Sequence, residues 1–289
     1  MFYAKILLSL LSFLLIFITP ITKIQAADTG PKGAHAMDRI EAAEKARTKL
    51  LGANAPSALS GTDPDLAAIR DRLIFGEIAN SGSLDDKQRE LITLAALTAS
   101  QATASLKDHA AAALNAGASP VEIKEAIYQT APYVGFPRAE EAIIIVNEVF
   151  KERGIKMPLE SQTTVTEKSR FEDGLAVQKK IFGADHIEAM QKKAPVGQQA
   201  IVTNYLSAFC FGDFYTRKGL DLKMRELITF SAIVSLGGCD PQAKAHASAN
   251  ISVGNSKQNL VDALAVMLPF IGFPRTLNGL AAVNAAVPD

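Results

Sequence analysis

"RELIT" occupies residues 89–93 and recurs unchanged at 225–229. Five identical residues in a row point to an internal repeat, and the flanks bear this out. Arg89 and Arg225 are 136 residues apart, while His109 and His246 are 137 apart, as are the first glycines of the two "GFPR" stretches, at 135–138 and 272–275. One extra residue therefore lies between the arginine and the histidine of the second copy. Upstream, "FGEIANSGSLD" (75–85) pairs with "FGDFYTRKGLD" (211–221), and "KLLGAN" (49–54) resembles "KIFGAD" (180–185). A period this long means duplicated domains, because solenoid repeats run about 20–50 residues.

The copies are assigned to 37–157 and 168–289. A polar connector at 158–167 carries most of "ESQTTVTEKS" (160–169). Each copy reads as helices. Asp85 with Gln88 three residues on makes a capping box, and so does Ser119 with Glu122, where Pro120 takes the first helical position. Leu106, His109, Ala110, Ala113 and Leu114 share one face of a helix closed by Gly117. A last helix begins at Pro137 and runs to Phe150, with Gly154 after it. No alternating strand pattern stands out. The fold class expected is all-α, two tandem helical domains.

Composition narrows the function. Lys plus Arg number 30 and Asp plus Glu 30, so no basic surplus points to nucleic acid. Hydrophobic residues make up 48%, enough for a sizeable core. The first 26 residues carry Lys5, an apolar stretch from Ile6 to Ile18, Pro20, and then small residues at Ala26 and Ala27. This is the pattern of a secretory signal peptide. Thirteen residues fall short of the roughly 20 that span a bilayer. The expectation is a periplasmic or secreted protein without stable membrane insertion after cleavage, and no later apolar run of that kind was expected. Two cysteines, Cys210 and Cys239, leave one disulfide open as an option.

Chemistry has few candidates. His109 and His246 are repeat partners inside small, apolar helix faces. Glu90 and Glu226 are their natural companions, because a carboxylate beside an imidazole orients it and holds its tautomer. The plainer alternatives are a buried histidine satisfied by a hydrogen bond and a solvated first-turn acid favoured by the helix dipole. One repeat-matched histidine per copy, with no second ligand at metal spacing, argues against a metal site.

"LDLKMRELITFSAIVSLGG", the downstream His246 and the Gly-Phe-Pro turn together resemble the carboxymuconolactone decarboxylase family, which includes alkylhydroperoxidase D-like proteins. The resemblance covers most of the chain beyond the leader, as two copies. It implies an all-helical subunit that assembles into rings, so a homotrimer of tandem chains is expected. Apolar Ile143, Val146, Val149 and Phe150 exceed what one helix face buries and are expected to serve such an assembly.

The resemblance implies one of two activities. The peroxidase branch uses a Cys-x-x-Cys pair seven and four residues before the histidine. Ala102 and Ser105 stand there in the first copy, Cys239 and Gln242 in the second. A complete pair is missing from both. The decarboxylase branch needs no thiol and no cofactor, only an acid/base and a cation for a carboxylate. The second copy resembles this branch better, with Arg217 at the branch's arginine position and Ser81 opposite it in the first copy; Phe211 and Tyr215 depart from the tryptophans usual there.

The expected function is acid/base chemistry on a small acidic or lactone-like molecule. His246 would carry the proton and Glu226 orient it, with Arg217 or Arg225 holding the carboxylate; Glu90, His109 and Arg89 are the first-copy counterparts. The alternatives are a thiol-dependent antioxidant using Cys239, and a ring-forming binding protein without catalysis.

Overall fold

The computed structural model describes residues 38–53 and 59–288; the leader at 1–26 lies outside them. Every regular element among the described residues is a helix. In the first copy these are α1 (Arg39–Leu51), α2 (Pro64–Asp71), α3 (Asp86–Ser100), α4 (Thr103–Asn115), α5 (Pro120–Val134) and α6 (Phe136–Glu152). The second copy gives α7 (Arg170–Phe182), α8 (Ala184–Lys193), α9 (Leu222–Leu236), α10 (Asp240–Ser252) and α11 (Lys257–Ala286). Wide-turn π segments lie at Arg72–Glu77 and Ala200–Tyr215, just ahead of α3 and α9.

The caps fall where the sequence puts them. Asp85 accepts from the Gln88 N–H and Ser119 from the Glu122 N–H, each in a complete capping box. The extra residue of the second copy lands in a loop. Gln101 and Ala102 join α3 to α4, whereas Gly237, Gly238 and Cys239 join α9 to α10. Both pairs of helices keep the same lengths, 15 and 13 residues, so the insertion leaves the helical registers untouched. Cys239 is itself the N-cap of α10. Asp240, whose residue type suits a cap, is instead the first residue of the helix.

α3 and α9 form the centre. From Glu90 to Ala99 every residue of α3 is buried, as is every residue of α9 from Met224 to Ser235. The two pack on each other, α5 of the first copy packs on α9, and α11 of the second packs on α3. Leu91, Leu94, Ile127, Leu227, Ile228 and Leu264 belong to one continuous core drawn from both copies. Each such side chain contributes about 1.5–3 kcal/mol on burial. Two glycines, Gly76 and Gly212, fix how closely the outer helices approach. A Cβ on Gly76 would strike the Arg39 carbonyl of α1, and one on Gly212 the Arg170 carbonyl of α7.

Two expectations change. Val146, Val149 and Phe150 are 0–2% exposed within the chain's own core, so they are not surplus surface. Phe136, Ile144, Phe273 and Leu277, between 51% and 64% exposed, are among the apolar residues that face outward. Also, α11 is by length and composition apolar enough to cross a membrane, although no later run of that kind was expected. It is two helices broken at Gly272 (φ 75°), and it buries Leu260, Leu264 and Met267 in the shared core.

Candidate functional site

Each histidine meets its own copy's glutamate. His109 Nδ1 lies 2.7 Å from Glu90 Oε2, and His246 Nδ1 lies 2.8 Å from Glu226 Oε2. The glutamates sit in the second turn of α3 and α9, and the histidines at matching positions of α4 and α10. Glu90 is 5% exposed and Glu226 is fully buried, which excludes the solvated first-turn reading. A carboxylate accepts only, so it holds the imidazole proton on Nδ1 and leaves Nε2 bare as the basic nitrogen. Among the described residues neither Nε2 has a hydrogen-bond partner.

The opposite copy roofs each dyad. Phe270 of α11 stands edge-on to His109, ring centroids 5.1 Å apart and planes at 88°. Tyr133 of α5 stands edge-on to His246 at 5.6 Å and 89°. Phe182 closes the His246 ring from another side at 5.3 Å. Tyr133 and Phe270 are themselves repeat partners, 137 residues apart.

Around this shared plan the two sites differ. Tyr215, at the end of the second π segment, donates to Glu226 Oε1 at 2.7 Å. Its hydroxyl also contacts Thr229 Oγ1 at 2.9 Å and the Tyr133 hydroxyl at 3.1 Å. The Cys210 thiol points at Tyr133 Oη from 3.5 Å. Burial pushes the Cys210 thiol up to about 12 and raises both tyrosines well above their ordinary range, so all three keep their protons. Ala79 takes the place of Tyr215 in the first copy. There a cavity of about 30 Å³, room for roughly one water, is lined by His109, Glu90, Arg89, Ala79 and Phe270.

The arginines separate in the same way. Arg225 is fully buried and holds Glu125 Oε2 at 3.0 Å and Gln129 Oε1 at 2.9 Å through its two terminal nitrogens. Arg217 takes the same Glu125 from the other side, with contacts of 2.8–3.0 Å, and reaches Thr163 at 3.1 Å. A substrate carboxylate would have to displace Glu125 to reach either. Arg89 bonds Asp86 and the Ser81 carbonyl but stays on the cavity wall beside His109. Both cysteines are free thiols; Cys239 Sγ donates to the Gly237 carbonyl at 3.5 Å and the residue packs against the shared core.

These two dyads sit inside a sequence pattern with known relatives. The model of the carboxymuconolactone decarboxylase family matches residues 64–148 and again 202–285. The chain belongs to the carboxymuconolactone decarboxylase family. A 4-carboxymuconolactone decarboxylase from Acinetobacter baylyi is 31% identical over 113 residues, 38% of this chain and 84% of the relative. A nitrosuccinic acid decarboxylase from Metarhizium robertsii is 33% identical over 78 residues, 27% of this chain and 54% of the relative. A solved structure described as a gamma-carboxymuconolactone decarboxylase subunit from Burkholderia xenovorans aligns with 83% of this chain and 93% of its own, at 19% identity and a TM-score of 0.49. That global likeness is too loose to decide anything.

Sequence reasoning missed Glu125, Gln129, Tyr133 and Thr229. A signal for them existed. Glu125, Gln129 and Tyr133 lie four residues apart along one face of α5, and Thr229 closes the repeated motif itself.

Proposed function

We propose that this carboxymuconolactone decarboxylase family member is a cofactor-free lyase that removes carbon dioxide from, or shifts a proton on, a small acidic or lactone-like molecule. The observation that carries this reading is the repeated Glu–His bond of 2.7–2.8 Å in buried surroundings. When carbon dioxide leaves, the carbon left behind keeps the bonding pair and needs a proton. An imidazole that has taken a proton on Nε2, with Nδ1 held by glutamate, can return it to that carbon. His246 is the proton carrier and Glu226 its orienter, since Glu226 is held on both oxygens. The names of the two decarboxylase relatives support the reaction class.

The first-copy dyad is a second reaction site in this reading, favoured by the cavity that His109, Glu90 and Arg89 share. The leader at 1–26 supports secretion to the periplasm, and the exposed Phe136, Ile144, Phe273 and Leu277 support a trimer of tandem chains, which light scattering would report as about three chains.

Purified protein assayed against muconolactones and related small acids tests the reaction. His246→Ala is expected to lower the rate about 10²–10⁴-fold, as loss of a general acid/base does, and His109→Ala to lower it less. No turnover of any such acid, or no loss from either change in folded protein, sinks the proposal.

A further inference from the structure

The hydrogen bonds around Glu226 have a direction that can be worked out atom by atom. Tyr215 owns one hydroxyl proton and spends it on Glu226 Oε1 at 2.7 Å. Its oxygen therefore accepts in its other two contacts, from Thr229 at 2.9 Å and from Tyr133 at 3.1 Å. Two lone pairs meet two donors, and the oxygen is saturated.

Each donor is supplied in turn. Tyr133 accepts from the Cys210 thiol at 3.5 Å. Thr229 accepts from Gln129 Nε2 at 3.2 Å. The Gln129 amide cannot be turned over, because its Oε1 faces Arg225 Nη1 at 2.9 Å and a guanidinium only donates. Two chains of donors thus converge on one carboxylate, Cys210 to Tyr133 to Tyr215 and Arg225 to Gln129 to Thr229 to Tyr215. Two links, Tyr133 and Gln129, come from α5 of the first copy.

The first-copy dyad lacks the corresponding links. By the repeat offsets, Phe270 stands for Tyr133, Val266 for Gln129 and Ala79 for Tyr215. Thr93 and Arg89 retain their counterparts' identity, but Arg89 bonds Asp86 and the Ser81 carbonyl instead of feeding a donor chain. Structural need cannot explain the second network by itself, because the same helices pack without it around His109.

We infer that Tyr133 and Gln129 are positioning residues supplied by the first copy to the second copy's dyad: they aim the hydroxyls of Tyr215 and Thr229 so that Glu226 is pinned at Oε1 and turned toward His246 Nδ1. This rests on the reading of His246 as the proton carrier. It gives Arg225 a role as the fixed end of a donor chain. Directed donors to a buried carboxylate act cooperatively in low dielectric, so loss of an outer link is felt at the inner one.

The test replaces the links with the residues nature uses at the other dyad, Tyr133→Phe and Gln129→Val, singly and together. The first readout needs no substrate. Ring ¹⁵N spectra at neutral pH report which nitrogen of His246 carries the proton. Wild type is expected to show His246 protonated on Nδ1, and the double variant to show a several-fold larger share protonated on Nε2, with the His109 signals unmoved. Tyr133→Phe, which keeps the ring over His246, covers the case in which Gln129→Val fails to fold, and is expected to shift the tautomer in the same direction. An unchanged His246 tautomer in the folded variants overturns the inference, as does a wild-type His246 without the Nδ1 proton. The second readout is turnover of the acid that wild type processes, with about a tenfold fall in kcat expected at little change in KM. A shifted tautomer with no fall in kcat supports the positioning and removes His246 from the reaction. A wild type that turns over nothing removes the lyase reading and leaves the tautomer result to decide the positioning.

Discussion

Glu125 of the first copy and Arg225 of the second form an ion pair of 3.0 Å in which the arginine is wholly buried and the carboxylate 2% exposed. Arg217 completes the cluster from the rim. Removing one partner of a buried pair leaves the other charge stranded, which costs roughly 3–5 kcal/mol. Glu125→Ala is expected to lose stability on that scale, measured by urea unfolding. A loss under about 1 kcal/mol would mean that water replaces the carboxylate at Arg225.

Tyr215 is the only hydroxyl donor to Glu226 among the described residues. Tyr215→Phe leaves a fully buried oxygen with one bond fewer. A hydrogen bond to a charged group is worth about 1.5–3 kcal/mol. Thermal unfolding should register a loss of that order, whereas Ala79→Ser, which touches the first-copy cavity wall, is expected to change stability little. Equal effects from the two changes would contradict the asymmetry of the dyads.

The thiols should react unequally. Cys210 is 6% exposed with its pKa near 12, so it carries almost no thiolate at neutral pH. Cys239 lies half-buried in a loop. A maleimide added to native protein is expected to modify Cys239 and spare Cys210, as peptide mapping would reveal. Cys239→Ser is expected to leave the lyase reaction intact. Peroxide turnover that vanishes with Cys239→Ser would instead favour the antioxidant reading.

Asp262 makes stability depend on acid. It is the repeat partner of Glu125, and like it reaches across to the other copy. Burial pushes its carboxyl up, but the backbone N–H and hydroxyl of Ser83 at 2.6 and 2.7 Å and the Gln258 amide outweigh this and hold it below its ordinary 3.8. A carboxyl lowered by folding adds stability that is complete above its unfolded value and is lost as pH falls through the folded one. Asp262→Asn should therefore destabilise the protein at neutral pH and make little difference once wild-type Asp262 is protonated, well below pH about 4. Urea midpoints taken across that window check it; a difference that stays constant with pH contradicts the assignment.

Much of this is legible in the sequence itself. Asp85, Gln88, Ser119 and Glu122 announce helix starts because their side chains bond backbone groups within three residues, and such local chemistry is written in order along the chain. Glu90 and His109 were paired correctly because the duplication supplied a second instance of the same spacing. The arginines were harder to read. Arg217 and Arg225 looked like free cations, since nothing local reveals that Glu125, about a hundred residues earlier, will cover both. Val146 and Phe150 looked like surplus surface because one helix face does not tell how many neighbours it meets. Tyr133 went unnoticed for the same reason, its partner His246 being on the other copy.

Each histidine lies beneath a ring borrowed from the other copy, and that borrowing has an evolutionary consequence. In an assembly of identical single-copy subunits, a change at one roof is a change at every roof. Joining two copies in one polypeptide releases that constraint, because positions 129 and 133 can mutate while 266 and 270 stay as they are. A tyrosine over one histidine and a phenylalanine over the other is a difference that symmetry would forbid and covalent fusion permits.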